Sequence, residues 1–181
     1  ASIYDTVDAG NGVFDLHDFS IKDVDHPFKG KYTIKEGFEK SSNVIISKFA
    51  YYTFRDCAVE FVDRLYKMGL NKPSGIDLVN ESSPQIKYPG NSQWSGVSLA
   101  QMAYGYELTL SPLQILTFYN AVANNGCMVR PHLLEGIRSH GQVVETAETE
   151  VSNPAICSKE TLEKAQALLR GVVENGTASS L

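Results

Sequence analysis

Nowhere in these 181 residues is there a run of the roughly 18 consecutive apolar residues that a membrane-spanning helix requires. No leader-type pattern opens the chain. Basic residues are in the minority, 16 Lys and Arg against 21 Asp and Glu, and the formal net charge is −5. A nucleic-acid footprint needs clustered Lys and Arg, and neither the balance nor the spacing supplies it, so no nucleic-acid partner is expected. Cysteine is scarce: Cys57, Cys127 and Cys157 stand far apart with no Cys-x-x-Cys pair. That spacing argues against a zinc site or a thioredoxin-like motif, and the three thiols read as small buried side chains. No internal repeat and no low-complexity segment is present.

What the chain does contain is an ordinary globular composition, 43% hydrophobic and 20% charged, enough for a buried core. It begins at Ala1 without a methionine and stops at Leu181, just past a helix-stop signal. It therefore reads as an excised portion of a longer protein, a single but incomplete domain over 1–181.

Residues 1–30 are rich in Asp, Gly and turn formers, and suggest short strands or a hairpin. Thr33-Ile34-Lys35-Glu36 matches a capping box, predicting a short helix that ends near Lys40. A second helix begins at Ser42 or Asn43, with Ile45, Ile46, Phe49 and Ala50 as its apolar stripe. A third is expected from about Phe54 to Met68, capped by Gly69. Pro73 to Gly90 is loop-rich, with a brief strand at Gly75-Ile76-Asp77-Leu78. A short helix covers Ser98 to Ala103.

Ser111-Pro112 starts a further helix, since proline's missing N–H costs nothing at the first helical position. That helix runs to about Asn125, and its apolar residues on several sides predict a buried central helix. Two strands, Leu133 to Arg138 and Gln142 to Thr146, join at Ser139-His140-Gly141. A last amphipathic helix starts at Ser158 and stops at Gly176. The fold class is α+β, helix-dominated.

Among candidate sites, Lys40-Ser41-Ser42-Asn43 lies at a junction of two helices. A helix start offers N–H donors and a positive dipole end that suit a polar substrate; Ser and Asn are also ordinary caps. A Ser-x-Asn element is the middle of the three-part signature Ser-x-x-Lys, Ser-x-Asn, Lys-Thr-Gly. The segment Thr33 to Val44 resembles the corresponding stretch of division-type class B penicillin-binding proteins. Phe61 to Leu70 and Gly75-Ile76-Asp77-Leu78 resemble the helix and loop that follow in that family. Tyr104-Gly105-Tyr106 with Ser111-Pro112-Leu113-Gln114 resembles its "GYG…TPLQ" segment. Asn124-Asn125-Gly126 and Val173-Glu174-Asn175-Gly176-Thr177-Ala178 resemble its later "NGG" and "V…GTA" segments. The ordered set spans nearly the whole chain.

The resemblance implies a partial serine β-lactamase/transpeptidase-like fold lacking the main sheet strands, which would leave apolar helix faces uncovered. It implies a parent D,D-transpeptidase, anchored by an N-terminal helix at the extracytoplasmic (periplasmic) membrane face. That parent would cross-link peptidoglycan stem peptides, bind β-lactams and meet cell-division proteins, with no cofactor and no metal. By the family pattern Ser41 relays a proton and Asn43 hydrogen-bonds the substrate amide, so these two are the catalytic candidates. Ser42, Tyr104, Gly105 and Tyr106 are candidate substrate contacts.

Two family elements are missing from the sequence, since no Ser-x-x-Lys and no Lys-Thr-Gly occurs. The chain alone is accordingly expected neither to be acylated by nor to hydrolyse a β-lactam, because Ser41 and Asn43 are not nucleophiles without an activating base. Two rival readings exist. A transpeptidase-like sensor that binds β-lactam or peptidoglycan could keep the Ser-x-Asn element, and its flanking sequence would separate it from a synthase. A metal-dependent protein would use Asp15, His17, Asp18, Asp23, Asp25 and His26, although this cluster lacks the EF-hand order of ligands.

Overall fold

A computed structural model describes residues 2–24 and 27–180. In chain order the elements are β1 (Thr6–Asp8), β2 (Val13–Leu16), β3 (Phe19–Lys22), β4 (Lys31–Thr33), α1 (Ile34–Glu39) and α2 (Asn43–Phe54). There follow α3 (Ala58–Lys67), β5 (Gln85–Ile86), α4 (Ser98–Met102), β6 (Leu108–Thr109) and α5 (Pro112–Ala123). The chain ends with β7 (Met128–Val129), β8 (Gly136–Ser139), β9 (Gln142–Thr146), β10 (Val151–Asn153) and α6 (Lys159–Glu174). Helices carry most of the regular structure, and the strands among the described residues pair only two by two. The α+β, helix-dominated class without a main sheet is therefore what the chain adopts.

Two compact units make up the chain: Ala1–Asp63 with Ile86–Thr109 and Glu163–Leu181, and Arg64–Gln85 with Leu110–Leu162. In the first, β2 and β3 form a hairpin with Phe14 opposite Ile21, and β1 pairs antiparallel with β4. Ala9, Phe14, Leu16, Ile21, Val44, Ile45 and Ala100 form its core. α2 runs through this core with Val44 and Ile45 fully buried, each contributing about 1.5–3 kcal/mol relative to exposure. Ser47, also fully buried, donates to Ala100 O at 3.1 Å. Gly37 is needed for α1 to meet α2, because a Cβ there would lie 2.4 Å from Ile45 Cγ2.

Thr33 caps α1 through the expected box: its hydroxyl accepts from Glu36 N at 3.1 Å and Glu36 Oε2 accepts from Thr33 N at 2.8 Å. The third helix starts later than the apolar spacing predicts. α2 runs on to Phe54, and α3 begins at Ala58. Phe54 stacks edge-on against Phe61 at 5.4 Å, so the apolar period continues across a break in the backbone.

In the second unit Gly69 ends α3 as expected, with Leu70 N donating to Leu65 O at 3.2 Å. Gly75-Ile76-Asp77-Leu78 is not a strand. The amides of Ser74 and Gly75 donate instead to the Glu81 carboxylate at 2.6 and 2.9 Å. Burial pushes that carboxylate's pKa up, but the hydrogen bonds from Ser74, Gly75 and Ile76 outweigh it and hold the pKa below the ordinary value. Arg130 braces the same loop from outside, donating to Gly75 O, to Asp77 at 2.9 Å and to Glu150 at 2.9 Å.

Ser111 caps α5 in a second box with Gln114. α5 is not the buried central helix its composition predicts. Only Gln114, Ala121 and Val122 are buried, while Ile115, Leu116 and Tyr119 are 43%, 64% and 49% exposed. Apolar residues all round a helix report what it could bury; here one face alone is covered. β8 and β9 pair through a tight turn at His140-Gly141, both with positive φ (51° and 80°), the type I′ geometry that suits strand twist. No helix among the described residues is long and apolar enough to cross a membrane.

Candidate functional site

Ser41 sits where α1 stops and α2 starts. Ser42 N donates to Gly37 O at 2.8 Å and Ser41 N to Phe38 O at 3.0 Å, the paired bonds of a Schellman motif. The residue between them must be left-handed, and Ser41 has φ 55°. Glycine usually takes that place, since a left-handed non-glycine residue costs roughly 1–2 kcal/mol. A serine held there, exposed at the apex of two helices, is the kind of local strain that collects at functional positions.

Ser42 is 1% exposed and caps α2, accepting from Ile45 N at 3.2 Å. Its hydroxyl faces both oxygens of Asp23, at 3.0 and 3.2 Å. Asp23 Oδ1 also accepts from Val44 N at 3.1 Å. The N–H donors at this helix start are thus satisfied largely by the chain's own side chains, which leaves less for a substrate than a bare helix N-terminus offers. Asn43 is half-buried, and its Nδ2 donates to Lys22 O at 3.0 Å. That bond fixes which end of the amide carries the oxygen.

The other side of the turn is held by the end of α6 and the residues that follow it. Glu39, 5% exposed, pairs with Lys35 and raises the pKa of its ammonium. Glu39 O accepts from Thr177 N at 3.2 Å, and Lys40 Nζ donates to Asn175 O. Gly171 and Gly176 make the room: a Cβ on Gly171 would meet the Glu39 carboxylate, and one on Gly176 would meet Glu39 O at 2.2 Å. Lys40 already stands in the Lys40–Asn43 run that the sequence marks as a candidate site, whereas neither Glu39 nor Gly171 is marked there. A glycine inside an amphipathic helix was the available signal.

Tyr104, Gly105 and Tyr106 lie just after α4, in the same unit as Ser41. Tyr104 packs against the core, and burial first, then the neighbouring Tyr106, push the Tyr104 phenol above its ordinary pKa. The two rings are 5.1 Å apart, and Tyr106 is 62% exposed. No atom of the chain lies within 4 Å of a Cβ built on Gly105, so packing within the fold does not require a glycine there. Its φ of 101° instead lets Tyr106 N donate to Gln101 O at 3.0 Å and close the end of α4.

The Asp/His cluster disperses. Asp23 belongs to the α2 cap, Asp15 accepts from Ser20 Oγ, and the His17 ring lies against Gly96. Asp25 and His26 lie outside the described residues. No group of three His, Cys, Asp or Glu side chains among the described residues could hold a metal ion. The three cysteines are half-buried rather than buried. Desolvation raises the thiol pKa of Cys157.

The chain has the fold of penicillin-recognising transpeptidases. Penicillin-binding protein 3 from Mycobacterium tuberculosis, in complex with aztreonam, superposes with a TM-score of 0.74 at 26% identity, covering 97% of this chain and 38% of that one. Residues 5–180 match the penicillin binding protein transpeptidase domain, and the chain belongs to that family. It is 30% identical over 176 residues to penicillin-binding protein 2A of Bacillus subtilis, covering 83% of this chain and 23% of that protein. It is 32% identical over 111 residues to peptidoglycan D,D-transpeptidase FtsI of Escherichia coli, covering 61% of this chain and 18% of that protein. The chain therefore spans under a quarter of the length of these two relatives.

Proposed function

We propose that residues 1–181 form the central portion of the transpeptidase domain of a division-type class B penicillin-binding protein. The observation that carries this is the Ser41-Ser42-Asn43 turn, with a strained, exposed serine at its apex, in a chain that matches the family over residues 5–180. The whole protein joins peptidoglycan stem peptides by acyl transfer, and the acyl-enzyme forms on a serine outside this sequence. Ser41 holds or relays a proton beside that serine, since a hydroxyl both donates and accepts. Asn43 binds the amide of the stem peptide or of a β-lactam through the two functions of its carboxamide. Tyr104, Gly105 and Tyr106 border the substrate, and the buried Ser42 acts by holding the turn. The protein works at the extracytoplasmic face of the membrane, held by an N-terminal anchor and in contact with division proteins.

The test is intact-mass spectrometry after incubation with a penicillin. The 181-residue chain alone is expected to gain no penicilloyl mass, and the full-length protein to gain one. An adduct on the short chain, or none on the full-length protein, would refute the assignment.

A further inference from the structure

The Ser42 hydroxyl has two obligations. It accepts from Ile45 N, so its single hydrogen must find an acceptor elsewhere. Asp23 provides that acceptor, with oxygens 3.0 and 3.2 Å away. The same carboxylate accepts from Val44 N at 3.1 Å and from Phe28 N at 3.3 Å. Immediately before it, Lys22 O holds the Asn43 amide. Two adjacent residues at the end of β3 thus grip positions 42, 43 and 44, and Ser41 is the apex they leave free. The charge also suits its place, because a carboxylate at a helix start is favoured by the helix dipole.

We propose that Asp23 is a positioning residue for the Ser41–Asn43 turn. It fixes the hydroxyl of Ser42 and the first turn of α2, so that Ser41 Oγ and the Asn43 carboxamide are presented in one geometry. This rests on the roles proposed above for Ser41 and Asn43. Asp23 itself touches no reacting group. The requirement is for an acceptor-only group, since an amide in its place would set an NH2 against Val44 N or Phe28 N, donor facing donor.

The test uses the full-length protein and a fluorescent penicillin, with stopped-flow kinetics separating non-covalent binding from the acylation rate constant. Misplacing a catalytic group by about 1 Å can cost about 100-fold. D23A is accordingly expected to slow acylation at least about tenfold, with a smaller weakening of binding through the displaced Asn43. D23N should recover part of that loss. S42A should match D23A, and the double variant should be no slower than the slower single one, because both remove the same link. Thermal melts report whether each variant folds; if D23A does not fold, S42A carries the test. Wild-type acylation in folded D23A or S42A, or a loss confined to binding, would overturn the proposal, provided S41A is impaired. Wild-type acylation in S41A would instead bring down the underlying assignment of Ser41.

Discussion

The carboxylate of Glu39 occupies the space that a side chain at position 171 would need: a Cβ on Gly171 would lie 1.7 Å from Glu39 Oε1 and 2.6 Å from Cδ. A buried charge two residues before Ser41 is therefore housed by a glycine in the middle of α6. In an exposed helix, glycine to alanine stabilises by about 1 kcal/mol. Here the sign should reverse, because overpacking costs about 1–3 kcal/mol and displaces Glu39 from Lys35. Urea denaturation of G171A should show a lower midpoint than wild type.

Substitutions at Ser41 offer a separate check on its backbone. S41G and S41A both lose the hydroxyl, but only glycine is at ease at φ 55°. S41G should be more stable than S41A by about 1 kcal/mol. Equal melting temperatures for the two variants would contradict the left-handed conformation.

The capping box of α1 makes stability depend on pH. Hydrogen bonds from the Thr33 backbone, then from its hydroxyl, hold the Glu36 carboxyl below its ordinary 4.5. A carboxyl whose folded-state pKa is depressed stabilises fully above its unfolded-state value, and the contribution disappears as pH falls through the lower folded-state value. The denaturation midpoint should therefore fall below about pH 4.5 more steeply in wild type than in E36Q. Parallel pH profiles would show that the box contributes nothing.

Arg130 reaches Gly75, Asp77 and Glu150 from the surface, with its side chain 39% exposed. Exposed ion pairs contribute roughly 0–1 kcal/mol, so R130A should leave the melting temperature nearly unchanged. The local effect should be larger, because the loop around Gly75 loses its outer brace. Limited proteolysis followed by mass spectrometry should find faster cleavage within residues 74–82 of R130A.

The parts of the fold legible in the sequence are those determined over three or four residues. The boxes at Thr33 and Ser111 and the His140-Gly141 turn each place their own partners within that reach. Family resemblance located Ser41-Ser42-Asn43, but not what holds it. Asp23 lies 19 positions from Ser42, and a hydrogen bond at that separation leaves no local trace. In the sequence it is one acid among several in a cluster. Gly171 and Glu39 are farther apart still. The apolar spacing puts the start of α3 too early because ring packing between Phe54 and Phe61 preserves it across a break. The exposure of α5 is not legible in the sequence, because periodicity says which faces are apolar, not which are covered.

The β8–β9 ribbon carries a liability of its own. It has two strands, and Ile137, Val143 and Val144 are 45%, 57% and 65% exposed. A two-stranded ribbon leaves the outward N–H and C=O groups of each strand to water, and β-branched residues beside such an edge favour chain-to-chain pairing. Colloidal behaviour on storage should thus be governed by this ribbon rather than by global unfolding. A single lysine at position 143 would act as a gatekeeper, extending shelf life while leaving the first compact unit untouched.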